Sequence, residues 1–240
     1  MGEACQRAPY EEGREGRLVA TRLAMATSPA SLGIPTWNKT IARRFADLLL
    51  FSVTSVELAL LVYLTPTFTL VDWIYISQHL LVLGIAVTRR PPAAQDHSLP
   101  ASAAVVVSYA YPYAQMAYLA RMPGEPAWPG VGLVVVTIAA FLSLASLLGL
   151  GQSFGVRPAL RSLVTRGPYQ LVRHPMYLAY VLSDIGYNLQ EWNLGSLLIM
   201  LAGWASLLYR IRAEERVLSR DVRWARYIVS VPHRLLPGLW

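Results

Sequence analysis

Cysteine is almost missing from this chain. Cys5 is the only one in 240 residues, so no internal disulfide and no cysteine-based metal site can form. His79 and His174 stand too far from other ligand types to suggest zinc, and no metal is expected. Charge is scarce too. Only 15% of residues are Asp, Glu, Lys or Arg, against roughly 25% in an ordinary soluble domain. Acids are the scarcer sign, 14 against 21 basic residues, for a net charge of +7. The chain has no repeat at a period of roughly 20–50 residues and no low-complexity tract. It has no Gly-x-Ser-x-Gly elbow or Ser/Lys pair of the kind that supports hydrolysis. Residues 1–38 do not read as a leader. Glu3, Glu11, Glu12 and Glu15 alternate with Arg7, Arg14, Arg17 and Arg22, unlike a transit peptide, and Leu18 to Ala26 is too short and interrupted for a secretory core. This stretch is expected to be a mobile cytosolic tail with little to bury.

What the chain has in excess is apolar sequence, 55% of all residues. Its basic residues cluster at the ends of apolar runs. That pattern belongs to a membrane protein and argues against a nucleic-acid partner. Apolar runs cover about Ala46 to Leu64, Val71 to Val87, Ala101 to Leu119 (interrupted by Pro112), Val131 to Leu150, Met176 to Leu189 and Leu194 to Tyr209. The fourth, about 20 residues, matches a hydrocarbon core of ~30 Å. The fifth is short and is expected to tilt or to pack as half of a hairpin. The expected fold is all-α, a polytopic membrane helix bundle of about five to six transmembrane helices, with the bilayer as its partner. Residues 39–150 hold helices one to four. Residues 151–240 hold the special motifs, a helical hairpin and a cytosolic C-terminal segment. With the N-terminus inside, the inner loops and tails hold every Lys and Arg except Arg121, which fixes the orientation. It also puts residues 151–175 and the C-terminal tail on one cytosolic face, where they can build one site.

The densest run of special residues is Arg166-Gly-Pro-Tyr169-Gln-Leu-Val-Arg173-His174-Pro175-Met-Tyr177. Gly167 permits positive φ and Pro168 fixes its own φ, which marks a turn. Pro175 is suited to a first helical position. Arg173, His174 and Tyr177 should therefore stand at the mouth of a helix, whose end favours a carboxylate or phosphate. Arginine beside a membrane helix and Pro-led helix starts are also ordinary structural features.

Other segments divide between chemistry and plain structure. Gly149-Leu-Gly151-Gln-Ser-Phe-Gly155 has the wrong spacing for a dinucleotide fingerprint and ends a membrane helix instead of following a strand. It reads as a flexible exit from the membrane. Arg212-Ala-Glu214-Glu215-Arg216-Val-Leu218 fits ion pairing along a helix, Arg210 with Glu214 and Arg212 with Glu215, at about 0.2–0.5 kcal/mol a pair. Ion pairing is the favoured reading in isolation; the alternative is a carboxylate pair facing a cationic or hydroxyl-bearing ligand. Trp224, Tyr227 and Val231-Pro-His233-Arg234-Leu-Leu-Pro-Gly238 suit the membrane interface, with His233 and Arg234 near lipid phosphates or over a substrate headgroup. Glu57, His79 and Asp184 are ionisable groups at depth, which are costly and therefore candidates by default; none is expected to be catalytic, and Glu57 and Asp184 are expected either near span ends or paired with bundle partners.

Taken together, Val164 to Tyr177, the hairpin, Glu214-Glu215 and the closing Val-Pro-His-Arg-Leu-Leu-Pro-Gly resemble the isoprenylcysteine carboxyl methyltransferase family, with its bacterial-type relatives, in the wider group that includes phospholipid methyltransferases. The family pattern is Arg-His-Pro-x-Tyr, a hydrophobic stretch, then Glu-Glu. The resemblance covers roughly Gly149 to Trp240; the first three spans match only in being hydrophobic. It implies an integral membrane enzyme using S-adenosylmethionine at the cytosolic face. On that resemblance Arg173 and His174 would meet the methionine carboxylate, and Tyr169, Pro175 and Tyr177 would shape the pocket. Glu214 and Glu215 would hold amino or ribose groups, and Arg234 with Arg173 would be the catalytic candidates that orient the acceptor. Ala179 stands where Gly is common, and Trp224 where Tyr is frequent.

The chemistry agrees with that implication. Methyl transfer from a sulfonium needs donor and acceptor aligned, and alignment can be worth ~7–11 kcal/mol. The acceptor is expected to be lipid-like or a small apolar molecule. A carboxylate is already ionised and needs no base, which tilts the expectation toward a carboxylate or thiolate acceptor, the carboxylate of an isoprenylcysteine being the one the resemblance implies, and away from a phospholipid amine. The competing expectations are a membrane reductase holding NADPH through Arg216, Arg220, Arg223 and Arg226, a phospholipid amine N-methyltransferase, and an inactive scaffold. The topology suits a bacterial inner membrane or an endoplasmic reticulum. The sequence does not specify an oligomeric state.

Overall fold

The computed structural model describes residues 36–64 and 67–236. The expected tail, 1–38, lies outside the described residues except at 36–38, which are helical. Pro237 to Trp240 lie outside them as well. The chain divides into two compact units, Met1–Phe45 and Ala46–Trp240. Of the first, only the opening of helix α1 (Thr36–Leu64) is described. The second holds the remaining helices: α2 (Leu70–Thr88), α3 (Leu99–Leu119), α4 (Pro129–Leu150), α5 (Pro175–Gln190), α6 (Leu194–Leu218) and the short α7 (Trp224–Ser230). Two two-residue strands, β1 (Ala94–Gln95) and β2 (Ala159–Leu160), pair antiparallel. They are the one departure from the all-α expectation among the described residues.

Among the described residues, three helices are long and apolar enough to cross a membrane: Leu70–Thr88, Pro129–Ser153 and Leu194–Leu218. Helix α5 has 16 residues; at about 1.5 Å per residue it is roughly 24 Å long, shorter than a hydrocarbon core. Pro112 lies inside α3 without ending it, in keeping with a single apolar run there. Two boundaries differ from the sequence reading. Helix α1 begins at Thr36 rather than near Ala46. Helix α6 runs nine residues past Tyr209, to Leu218. Its buried stripe, Gly203, Ser206, Leu207, Arg210, Ile211 and Val217, continues at helical spacing into a segment rich in good helix formers.

Small residues set the packing. Helix α4 buries Gly132, Ala139, Ala140, Ser143 and Ser146, a stripe that lets backbones approach where lipid gives no hydrophobic drive. A Cβ added at Gly132 would stand 2.5 Å from the Gly186 carbonyl of α5. Helix α3 lies along α6, with the Tyr111 ring over Gly203. Buried polar groups are paired across this bundle. Tyr111 Oη and Trp204 Nε1 both donate to Asp184 Oδ2, at 2.8 and 2.7 Å. Gln115 donates to Ser196 and Ser196 to Asn188, at 2.7 and 3.1 Å. Glu57 accepts from Tyr113 and faces His79 at 3.7 Å. These polar groups are satisfied by one another, as bundle partners are.

The two ends of the bundle differ. At one, Glu125 and Trp192 exchange backbone hydrogen bonds of 2.9 and 2.8 Å, tying the α3–α4 and α5–α6 loops together. Among the described residues, Arg121 is the only basic residue in the loops of this end. The other end carries β1, β2, the Arg166–Tyr177 run, α7 and the closing segment.

Candidate functional site

The site forms where residues 153–180 and 210–234 meet. The turn begins at Gly167, whose φ is +61°, the left-handed conformation that glycine accepts at least cost. A 3-10 turn, Gly167–Gln170, follows. It buries the Tyr169 ring, and its last residues lead to His174, the N-cap of α5, with Pro175 at its first position. Pro175 is fully buried.

The closing segment then pairs with this run. Arg173 and His174 donate backbone N–H groups to the carbonyls of His233 and Arg234, both at 2.9 Å. Those two amides are therefore committed to the C-terminal segment rather than open to an anion at the helix mouth. Tyr227 Oη donates to the Tyr169 carbonyl at 2.8 Å. The Arg173 guanidinium lies over the Trp224 ring, 5.9 Å from its centroid, and donates through Nη2 to Pro232 O at 3.0 Å. An aromatic side chain at 224 thus carries a cation–π contact.

The two adjacent carboxylates play different parts. Glu215 gathers three cationic side chains: Arg234 Nε at 2.8 Å, Arg173 Nη1 at 3.3 Å and His174 Nε2 at 3.3 Å. Glu214 faces the other ring nitrogen, His174 Nδ1, at 3.6 Å. The helical ion pairs expected from the sequence do not describe this pair, since Glu215 reaches across to the two loop segments and Arg210 turns to other partners. His174 is 4% exposed. Burial opposes its charging, but its contacts with Glu214 and Glu215 outweigh that and hold its pKa above the ordinary imidazole value. Burial, with the like charge of Arg234, lowers the pKa of Arg173 against the opposing pull of Glu215. Burial also raises the Tyr169 phenol well above its ordinary range.

A cavity of about 90 Å3 opens beside this junction. Of the sequence candidates, Tyr169, Arg173, His174, Tyr177 and Glu214 line it. Glu215 and Arg234 form the ion pair that ties α6 to the closing segment. Sequence reasoning missed Arg210, Tyr109, Tyr180, Arg157 and Arg161, which also line it. Arg210 is the most informative. Its Nη1 donates to Ser108 Oγ at 2.7 Å and its Nη2 to Val156 O at 2.9 Å. Its guanidinium lies 5.7 Å from the Tyr109 centroid and 5.3 Å from that of Tyr177. The signal was available: Arg210 is four residues before Glu214, hence on the same helix face.

Chemically, the cavity combines aromatic rings with several arginines, one imidazole and one accessible carboxylate. That set suits a ligand bearing both charges and an apolar or aromatic body. The described residues contain no group of three or more metal-ligating side chains that could hold a metal ion.

Residues 127–221 match the family model described as phospholipid methyltransferase. Protein-S-isoprenylcysteine O-methyltransferase A of Arabidopsis thaliana is 26% identical over 108 residues, 42% of this chain and 55% of that protein. The chain therefore matches about half the length of that curated relative. The solved structure of a eukaryotic intramembrane Ras methyltransferase, isoprenylcysteine carboxyl methyltransferase, aligns over 92% of this chain and 93% of its own, with 18% identity and a TM-score of 0.42. At that score the two backbones differ too much for one to inform the other. Both family matches agree with the resemblance read from the Arg-His-Pro-x-Tyr and Glu-Glu motifs.

Proposed function

We propose that this protein is an integral membrane methyltransferase that uses S-adenosylmethionine to methylate a lipid-like or small apolar acceptor. The observation that carries the reading is the junction itself. His174, Tyr177 and Glu214 of the two motifs meet at one cavity, inside the region matched by the methyltransferase family model.

The donor set fits this cofactor. Arg173 Nε is buried without a hydrogen-bond partner, and an unpaired buried N–H is costly unless a ligand answers it. Arg173 and His174 would hold the methionine carboxylate. Glu214 would hold the ammonium or a ribose hydroxyl. Tyr169 and Tyr177 offer aromatic faces to a cation, and Pro175 fixes the first turn of α5. Glu215 is assigned a positioning role, holding Arg173, His174 and Arg234 in place. Arg234 and Arg173 would orient the acceptor. When bound, the cofactor supplies a methyl group on a sulfonium sulfur.

A carboxylate acceptor forms the new bond with its own lone pair, and the electron pair of the broken carbon–sulfur bond stays on sulfur. No base is required. An amine acceptor must also lose a proton, and the cavity's one accessible carboxylate already faces His174. A carboxylate acceptor, such as that of the isoprenylcysteine in the Arabidopsis relative's name, is therefore preferred to a phospholipid amine. The reductase reading loses its motive: Arg216 faces Asp96 at 3.9 Å and Arg223 pairs with Asp221 at 2.7 Å, and neither lines the cavity. We further assign α1, α3 and α5 as additional membrane segments, for a bundle of five to six. The N-terminus and cavity would lie on the cytosolic side of a bacterial inner membrane or an endoplasmic reticulum.

Calorimetry on detergent-purified protein tests the reading. S-adenosylmethionine and its demethylated product should bind, and NADPH should not. Binding of NADPH alone would replace the reading with a reductase.

A further inference from the structure

Two segments outside the Arg-His-Pro-x-Tyr and Glu-Glu motifs are tied together at the end of the bundle that carries the cavity. Arg89 and Arg90 follow α2 directly, where Pro91-Pro92 stop the helix from continuing. Gln152 stands at the close of the candidate span Pro129–Ser153. Arg90 donates to Gln152 twice, from its backbone N to the carbonyl and from Nε to Oε1, both at 3.2 Å. Arg161 Nε donates to Arg90 O at 3.0 Å. Beyond these links β1 pairs with β2, and Asp96 N donates to Pro158 O at 3.0 Å. Gly155 leaves room for the Arg161 guanidinium, which an added Cβ would strike. Residues 89–97 and 152–161 thus form one platform. Arg90 comes just after one candidate span and Gln152 within the last turn of another, so their link marks the level where hydrocarbon gives way to headgroups.

The platform is strongly basic. It carries Arg89, Arg90, His97, Arg157 and Arg161 against one acid, Asp96. The chain has no acid at all between Glu125 and Asp184. Asp96 is already engaged: it accepts from Ser98 N at 2.8 Å and faces Arg216 at 3.9 Å. Arg90 and Arg157 are exposed. Neither has a carboxylate in ion-pair range among the described residues, and Arg157 reaches the His97 ring, Nη1 to Nδ1, at 3.5 Å. Crowding like charges on one face is unfavourable unless an anion answers them. At headgroup level the anion at hand is a lipid phosphate, which arginines gathered between membrane segments are suited to hold.

We propose that this platform binds the headgroup of an anionic phospholipid, with Arg90 and Arg157 as its phosphate contacts. Arg161, held against the Arg90 backbone, adds charge behind them. Arg157 stands where the platform meets the cavity wall, and Arg90 lies outside the cavity. The lipid is a bound ligand, neither methyl donor nor acceptor, and no residue assigned to either takes part. The proposal goes beyond the methyltransferase reading and stands without it.

Native mass spectrometry tests it on the detergent-purified full chain, titrated separately with phosphatidylglycerol and phosphatidylcholine of the same acyl chains. Two arginines at about fivefold each predict that phosphatidylglycerol binds about thirtyfold more tightly. Arg90→Gln and Arg157→Gln should each lower that ratio about fivefold, and the double variant should bring it close to one. Arg226→Gln, which removes an exposed arginine of α7, should change the ratio by less than about twofold, since it lies off the platform. All the substituted arginines are exposed, so the variants should melt with the unaltered protein. A ratio near one in the unaltered protein would overturn the proposal. An equal loss in Arg226→Gln would do so too, by showing a diffuse basic surface in place of a site. Displacement of phosphatidylglycerol by equimolar inorganic phosphate would assign the platform to a soluble anion and overturn the lipid assignment. The titration contains no donor, so failure of the protein to bind S-adenosylmethionine would remove the methyltransferase reading and leave this one standing.

Discussion

Two carboxylates, the buried Asp184 and the partly buried Glu215, show how differently this bundle treats the same chemical group. Asp184 sits on α5 and accepts from two neutral donors, Tyr111 and Trp204. Around it the hydrogen-bond network closes on Asn188, Ser196 and Gln115. Glu215 sits on α6 and is surrounded by cations, Arg173, His174 and Arg234. Beside it stand a cavity and an arginine Nε with no partner. A network of neutral donors that closes on itself has no use for a ligand; it fixes helix register. A cluster of cations gathered on one acid leaves a donor unmet at a cavity wall, which the proposed function assigns to an anionic ligand. On that reading, burial of an ionisable residue is not enough to mark function. The identity of its partners decides.

Substitutions at the two carboxylates put that contrast at risk. Glu215→Ala has the largest expected effect, because it leaves three cations without their common acid. Removing one partner from a buried pair costs about 3–5 kcal/mol, so the protein should lose thermal stability and S-adenosylmethionine binding together. Normal binding in this variant would break the contrast. Asp184→Ala should cost about 1–3 kcal/mol for each donor left unpaired, read as a lowered Tm. Asp184→Asn should restore most of that loss, since an amide oxygen accepts from both donors, and in both variants the surviving folded protein should bind the donor normally. A donor-binding defect in Asp184→Asn would mean the inner network takes part in the site.

Two smaller effects sharpen the picture. The raised pKa of His174 means that its charged contacts stabilise the fold fully below the unfolded value of about 6.5. That contribution disappears as pH rises through the higher folded value. A pH series of melting curves should therefore show a loss on the alkaline side that His174→Gln lacks. Tyr227→Phe removes the hydrogen bond to Tyr169 O and should cost about 0.5–1.5 kcal/mol, with the aromatic contact to Trp224 kept.

The junction of the two motifs was legible in the sequence because its residues are chemically conspicuous and closely spaced. Gly167 and Pro175 announce a turn and a helix start by their backbone limits, and both occur where expected. The joining of two distant segments followed from the distribution of Lys and Arg alone. The separate roles of Glu214 and Glu215 were not legible, since adjacent residues on a helix point in different directions only once the neighbouring segments are in place. Arg210 was hidden by a boundary. A basic residue directly after an apolar run looks like the start of a cytosolic tail, yet the helix continues and buries it. Tyr109 was hidden inside an apolar run, where nothing distinguishes a tyrosine facing lipid from one facing a cavity.

The most direct measurement is the S-adenosylmethionine isotherm of the unaltered protein against those of His174→Ala and Glu214→Gln, each confirmed folded by its elution profile. The account predicts clear binding to the first and affinity weaker by about a hundredfold in the variants, the scale of losing a charge-assisted contact. Affinity within about twofold of the unaltered protein in both variants would contradict it and move the donor site away from the junction of the two motifs.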